Sequence, residues 1–109
     1  MSTHNNGGEA LVTALKTKKI ITGKFKIPSN DNILMDYDIE NITFQNCFIN
    51  GGDFCSSTFK NCIFDKVIFK NLSLVGVNFN KCTFIDCQFL NIQISFTLKE
   101  CTMQFFLIR

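Results

Sequence analysis

The 109-residue sequence has no tryptophan, one proline (Pro28) and one histidine (His4). With so little proline, almost every backbone N–H is free to join a hydrogen-bonded ladder. The lone histidine stands in the polar start MSTHNNGG. It reads as a surface residue, and the rest of the chain has no imidazole to activate a serine or cysteine nucleophile. No run of 18 apolar residues occurs, so no membrane-spanning helix is expected. The start MSTHNNGGEA lacks a basic segment followed by an apolar one, so no secretory signal is expected. The expected location is the cytoplasm, with reduced cysteines. A net charge of +2 gives no overall electrostatic case for nucleic-acid binding or for an acidic surface.

Other chemistry is also missing. Cys47, Cys55, Cys62, Cys82, Cys87 and Cys101 are separated by 8, 7, 20, 5 and 14 positions, so no C-x-x-C pair exists for zinc or redox work. No glycine-rich phosphate loop occurs. Gly51-Gly52 reads as structural, with Gly52 in a small inward position. Asp53, Asp65 and Asp86 fall at separate places rather than as an acid–base pair. Ser57 has no histidine or lysine in reach. The expectation is a protein that is not an enzyme and holds no metal or cofactor.

What the sequence has is phenylalanine, 13 copies of it. In STFKNCIFDKVIF, Phe59, Phe64 and Phe69 recur every fifth residue, a period that fits neither an α-helix nor a simple strand. Stepping by five from Phe44 to Ile94 meets 11 large apolar residues, 8 of them Phe. Two positions before each stand mostly small or β-branched residues, among them Cys47, Gly52, Ser57, Cys62, Val67, Val77, Cys82 and Cys87. Spacing by two is a local strand signature. One large and one small inward residue per five, with polar residues between, gives a polygonal coil. Four units close one square turn, and successive turns stack by parallel hydrogen bonds about 4.8 Å apart. Cys62 and Cys82 then stand in one column, and the inward cysteines read as small buried hydrophobes. Cys55 alone falls outward.

Units such as KNCIF, NKCTF and IDCQF resemble those of the pentapeptide-repeat family, over about residues 41–94 in strict register. The resemblance implies an all-β solenoid, a right-handed quadrilateral β-helix. After Ile94 the pairs Phe96/Leu98, Cys101/Met103 and Phe106/Ile108 keep the period one residue early, which predicts a four-residue unit near Ser95–Leu98. Upstream, Tyr37/Ile39 adds a unit and Leu34 keeps the period. The expected organisation is a disordered tail at 1–8, an N-terminal capping helix and lead-in segment at 9–36, and the β-helix at 37–109. The helix is expected over Glu9–Lys18, with Leu11, Leu15 and Val12 inward, acid first and base last. Ile20–Lys26 is expected to be extended. No helix follows the last repeats, so Met103, Phe105, Phe106 and Ile108 are expected to pair in a tail-to-tail homodimer or to be covered by a partner.

The residue before each large inward one should point outward. On two neighbouring faces this rule, with the corner residues that follow, sets out Phe48, Ile63, Ile68, Ile85 and Leu90 as an apolar stripe, while the other two faces are polar. Such a stripe marks a candidate protein-binding surface. Lys60, Lys66, Lys70 and Lys81 spread over several corners and read as solvating, so no nucleic-acid partner is expected. The family resemblance implies two sharper roles. One is binding DNA gyrase as a duplex mimic, which needs an acidic column. Residues 41–98 hold three Asp and no Glu against four Lys, which argues against it. The other is an immunity or antitoxin-like protein that neutralises a bacterial toxin. The reading adopted is a non-enzymatic protein–protein interaction module.

Overall fold

The structure, a computed structural model, describes residues 7–109. Helix α1 (Gly7–Thr17) is followed by β1 (Ile20–Ile27), β2 (Asp38–Glu40), β3 (Thr43–Gly51), β4 (Thr58–Lys60), β5 (Ile63–Lys70), β6 (Ser73–Asn80), β7 (Thr83–Leu90), β8 (Gln93–Lys99) and β9 (Thr102–Ile108). All pairings are parallel and skip one element: one sheet runs β1-β3-β5-β7-β9 and the other β2-β4-β6-β8. The chain therefore winds as a β-solenoid of about four turns. It forms a rod with extents of 44 × 26 × 23 Å.

The five-residue period sets the register. Phe44, Phe64 and Phe84 lie in one row-to-row column, as do Phe59 and Phe79, and Phe69 and Phe89. Their rings stack at 4.9 Å for Phe44–Phe64, 4.8 Å for Phe64–Phe84, 5.0 Å for Phe59–Phe79 and 4.9 Å for Phe69–Phe89. Neighbouring columns meet edge to face, as in Phe79–Phe84 at 5.1 Å and 75°. Eight phenylalanines are almost wholly buried. Each contributes roughly 1.5–3 kcal/mol of transfer free energy, with a further increment from ring geometry.

The corners carry a signal that the large residues do not. Asn41, Asn46, Ser56, Asn61, Lys66, Asn71, Lys81, Asp86 and Asn91 all have positive φ, between 49° and 63°, and Gly51 and Gly76 fill the same place at 96° and 72°. Every fifth residue thus sits in the left-handed region, which Asn, Asp and Gly tolerate best. The polar residues at that position do more than face water. They turn the chain by about a quarter turn per unit.

The predicted four-residue unit is present. Leu74 pairs with Ile94, a step of 20, but Phe79 pairs with Leu98 and Phe84 with Met103, a step of 19. At the other end β1 is already the first row of the larger sheet, with Ile21 opposite Phe44 and Phe25 opposite Ile49. The first turn is longer because the chain detours around Pro28 before Leu34, buried at 1 % exposure, rejoins the interior. Residues 1–6 lie outside the described residues, so the tail expectation at 1–8 is addressed only by its last two residues. Gly7 and Gly8 form the first turn of α1 instead of a tail. The reason is contact: a side chain at Gly7 would collide with the Lys26 backbone, so glycine lets the helix lie directly on β1. Leu11 and Val12 are buried beneath the helix, and Ala14 and Leu15 pack partly buried against the same cluster. The space enclosed by Leu11, Leu15, Phe44, Phe59 and Phe64 holds no room for a water molecule.

Two stability outcomes are expected. Phe64→Ala opens the centre of the stacked column and should cost about 3–5 kcal/mol in urea unfolding. Asn61→Val places a β-branched residue at φ 54° and should cost about 1–2 kcal/mol, while Asn61→Gly stays near wild type. Equal midpoints for the two Asn61 variants would show that the corner geometry does not limit stability.

Candidate functional site

The outer surface of the larger sheet is built by pairing rows. β3, β5 and β7 each bend at a left-handed corner (Asn46, Lys66 or Asp86) and so cover two faces of the rod. Beyond the bend, on what we term face two, the outward column reads Lys24, Phe48, Ile68, Gln88, Leu107 from one end to the other. A second column reads Lys26, Asn50, Lys70, Leu90, and Arg109 adjoins its end. Before the bend, on face one, Ile20, Thr43, Ile63, Thr83 and Thr102 form one column, and Gln45, Asp65, Ile85 and Gln104 another.

The five residues predicted as a stripe all point outward on this sheet. Ile63 is 42 % exposed, and Phe48, Ile68, Ile85 and Leu90 are half-buried. They fall on two neighbouring faces. Phe48 and Ile68 are direct register neighbours, and Leu90 lies in the neighbouring column one row beyond Ile68. Ile63 and Ile85 lie around the corner on face one, separated by Asn46, Lys66 and Asp86. Leu107, 39 % exposed, extends the Phe48 column and was not among the predicted residues. Its signal was in the sequence: it stands one position before the inward Ile108, once the outward rule is carried across the 19-residue step.

The last coil has a different arrangement. Phe96 and Phe106 occupy small-residue positions, over Val77 and Cys87, and their rings fold across the final phenylalanines. Phe96 meets Phe79 at 5.5 Å, and Phe106 meets Phe89 at 4.9 Å. Met103 and Ile108 point inward yet remain 38 % and 48 % exposed, as do Ile94 at 40 % and Leu98 at 36 %. Phe105 does not share that end surface. It stands at an outer corner with φ 54° and is 81 % exposed, beside Asp86, Gln88 and Leu107.

The polar groups inside the rod serve its backbone. Ser57 is fully buried; its Oγ donates to the Leu34 carbonyl and accepts from the Tyr37 N–H at 2.9 Å. It pins the loop before β2 onto the coil above. The cysteine thiols repeat this bond: Cys82 donates to the Phe59 carbonyl at 3.4 Å, Cys87 to Phe64 at 3.2 Å and Cys101 to Phe79 at 3.2 Å. Small size alone did not reveal this donor role. Burial pushes the Cys47 thiol up to about 12. Contact with the Cys62 sulfur, then burial, raises Cys82 as well. The outward Cys55 is also raised, first by Asp53, and its sulfur lies 3.3 Å from the Ser73 hydroxyl. The same contact with Cys82 moves Cys62 the other way, downward. Asp53 accepts from the Cys55 N–H at 3.0 Å, while Asp65 and Asp86 stand on the opposite sheet. Among the described residues no three metal-binding side chains converge, and no helix is long and apolar enough to cross a membrane.

A scan against protein-family models finds no match, and a search of the curated proteins finds none. Among solved structures the chain is similar to QnrB1, a plasmid-mediated fluoroquinolone resistance protein, with 17 % identity and a TM-score of 0.45 over 80 % of this chain. The match covers 52 % of that protein, so the chain spans about half its length.

Ser57→Ala leaves the Tyr37 N–H and the Leu34 carbonyl without their buried partner and should cost about 1–3 kcal/mol. Ser57→Cys, which keeps a donor in the same slot, should recover part of the loss. Thermal unfolding of the three proteins gives the comparison, and an unchanged melting temperature for Ser57→Ala would show that the pin is dispensable.

Proposed function

We propose that the protein is a non-enzymatic protein–protein interaction module that binds its partner through the apolar outer surface of the larger sheet. The observation that carries this reading is the in-register pair Phe48 and Ile68, pointing outward from a hydrogen-bonded sheet. Adjacent apolar side chains on a rigid surface are suited to anchoring a partner, because little conformational entropy is lost when they are covered. Buried serine and thiol groups bound to carbonyls are structural rather than nucleophilic in this reading. A toxin-neutralising immunity or antitoxin-like role is a special case of it. A gyrase-binding duplex mimic is disfavoured, since the outward charges around Phe48 are lysines.

A second contact is supported by the last coil. Ile94, Leu98, Met103 and Ile108 keep more than a third of their surface exposed although they point inward. We propose homodimerisation through this coil, with Phe106 in the contact and Phe105 at its margin.

Phe48→Asp/Ile68→Asp should leave the circular dichroism spectrum and cooperative melt unchanged, because both residues face outward. Binding to the protein's partner should fall by roughly 2 kcal/mol or more, as for central anchors. Retained affinity in the folded double variant would sink the reading.

A further inference from the structure

Face two carries a charge bias that the whole-protein total conceals. It holds Lys24, Lys26, Lys66, Lys70 and Arg109 against Asp86 alone, five cations to one carboxylate. The remainder of the chain holds six cations and eight carboxylates. The net +2 of the protein is therefore a strongly positive face set against a negative remainder. The cations are placed by register. Lys24 precedes Phe48 in its column, and Lys66 and Lys70 flank Ile68 within its own strand. Lys26 and Arg109 stand at the two ends of the neighbouring column.

The apolar residues and the lysines thus form one surface. Phe48 and Ile68 make a spine that resumes at Leu107 beyond Gln88, Leu90 and the exposed ring of Phe105 widen it, and cations border it on both sides. Phe105 holds a large aromatic side chain in the left-handed region, where such a residue is costly, and it is exposed rather than packed. Against a phosphate backbone alone, the spine would be left without a complement.

We infer that face two selects a polypeptide partner whose apolar anchors are flanked by aspartate and glutamate. This rests on the proposed role of the larger sheet as a docking surface, and it adds the chemistry of what docks. Carboxylates meeting Lys24, Lys66 and Lys70 set orientation and accelerate encounter, while the spine supplies burial. A basic or neutral partner of the same shape is rejected by like charge or by unpaired lysines.

The test is a selection from a random displayed peptide library on the full chain. Bound peptides are then measured against wild type, Phe48→Asp/Ile68→Asp and Lys66→Glu/Lys70→Glu, each checked for an unchanged circular dichroism spectrum. The expected result is net-acidic peptides with interspersed apolar residues. Their affinity should fall about tenfold or more in the lysine variant and weaken with added salt. Peptides of neutral or basic composition, or an absence of enriched peptides, overturn the inference. So does equal affinity for the lysine variant and wild type. Binders lost in Phe48→Asp/Ile68→Asp but untouched in Lys66→Glu/Lys70→Glu overturn only the charge selection and leave the docking surface standing. Binders indifferent to both variants remove the docking surface itself. Binding of phosphatidylserine vesicles or of oligodeoxythymidine in place of any peptide assigns the cations to a lipid or nucleic-acid surface and overturns the inference.

Discussion

The fold depends on one backbone constraint: a left-handed residue at every fifth position. Parallel coils can stack only if each returns above the last, and here that return takes 20 residues, four corners of five. A missing corner would carry the following inward residues out of their columns. The Phe44–Phe64–Phe84 stack at 4.8–4.9 Å is a consequence of that closure as much as a cause of stability. Asn41, Asn46, Asn61, Asn71 and Asn91 thus support the core without entering it. Where the spacing shortens to 19, in the last coil, the inward residues become larger at the small position and less buried overall. Phe96 and Phe106 fill there the space that valine and cysteine fill one coil earlier.

The solenoid was legible because its period belongs to few other structures. The large residues alone defined register, columns and the four-residue unit near Ser95–Leu98, since a repeat constrains every copy by its neighbours. The corners were less legible. Their residues are polar, and polarity at an outward position has an obvious but incomplete explanation in solvation. Only the concentration of Asn and Gly at one phase of the repeat points to positive φ. The thiol donors were hidden for a related reason: cysteine is small enough to explain its slot without its hydrogen bond, and Ser57, which does the same in full burial, appeared as an isolated polar residue. Gly7 and Gly8 read as tail because their requirement is contact with the Lys26 backbone, which lies far along the sequence.

The candidate surface was legible residue by residue and not as a shape. The rule that placed Phe48, Ile63, Ile68, Ile85 and Leu90 outward, on two neighbouring faces, did not locate the bend at Asn46, Lys66 and Asp86 where those faces meet. Contiguity along this rod runs by steps of 20 and 19, so Phe48 adjoins Ile68. Lys66 and Lys70, dispersed in a linear reading, become the two flanks of one apolar residue. The overall net charge carries no trace of that arrangement.

A five-residue coil divides labour by position. Two residues of each unit fill the interior and one makes the corner, which leaves two free to vary without cost to the fold. A recognition surface is written mainly in those two, with corner residues such as Lys66 and Phe105 adding to it, at intervals of about 20 residues, and so it presents no short motif. The same geometry that makes the shape easy to read disperses the functional information along the chain. It also makes that information easy to alter: a change at position 48 or 68 exchanges the chemistry of the surface while the column of Phe44, Phe64 and Phe84 beneath it stays as it was. A scaffold with those properties is suited to diversifying partners on a constant core, and the lysines around Phe48 and Ile68 are one solution written on it.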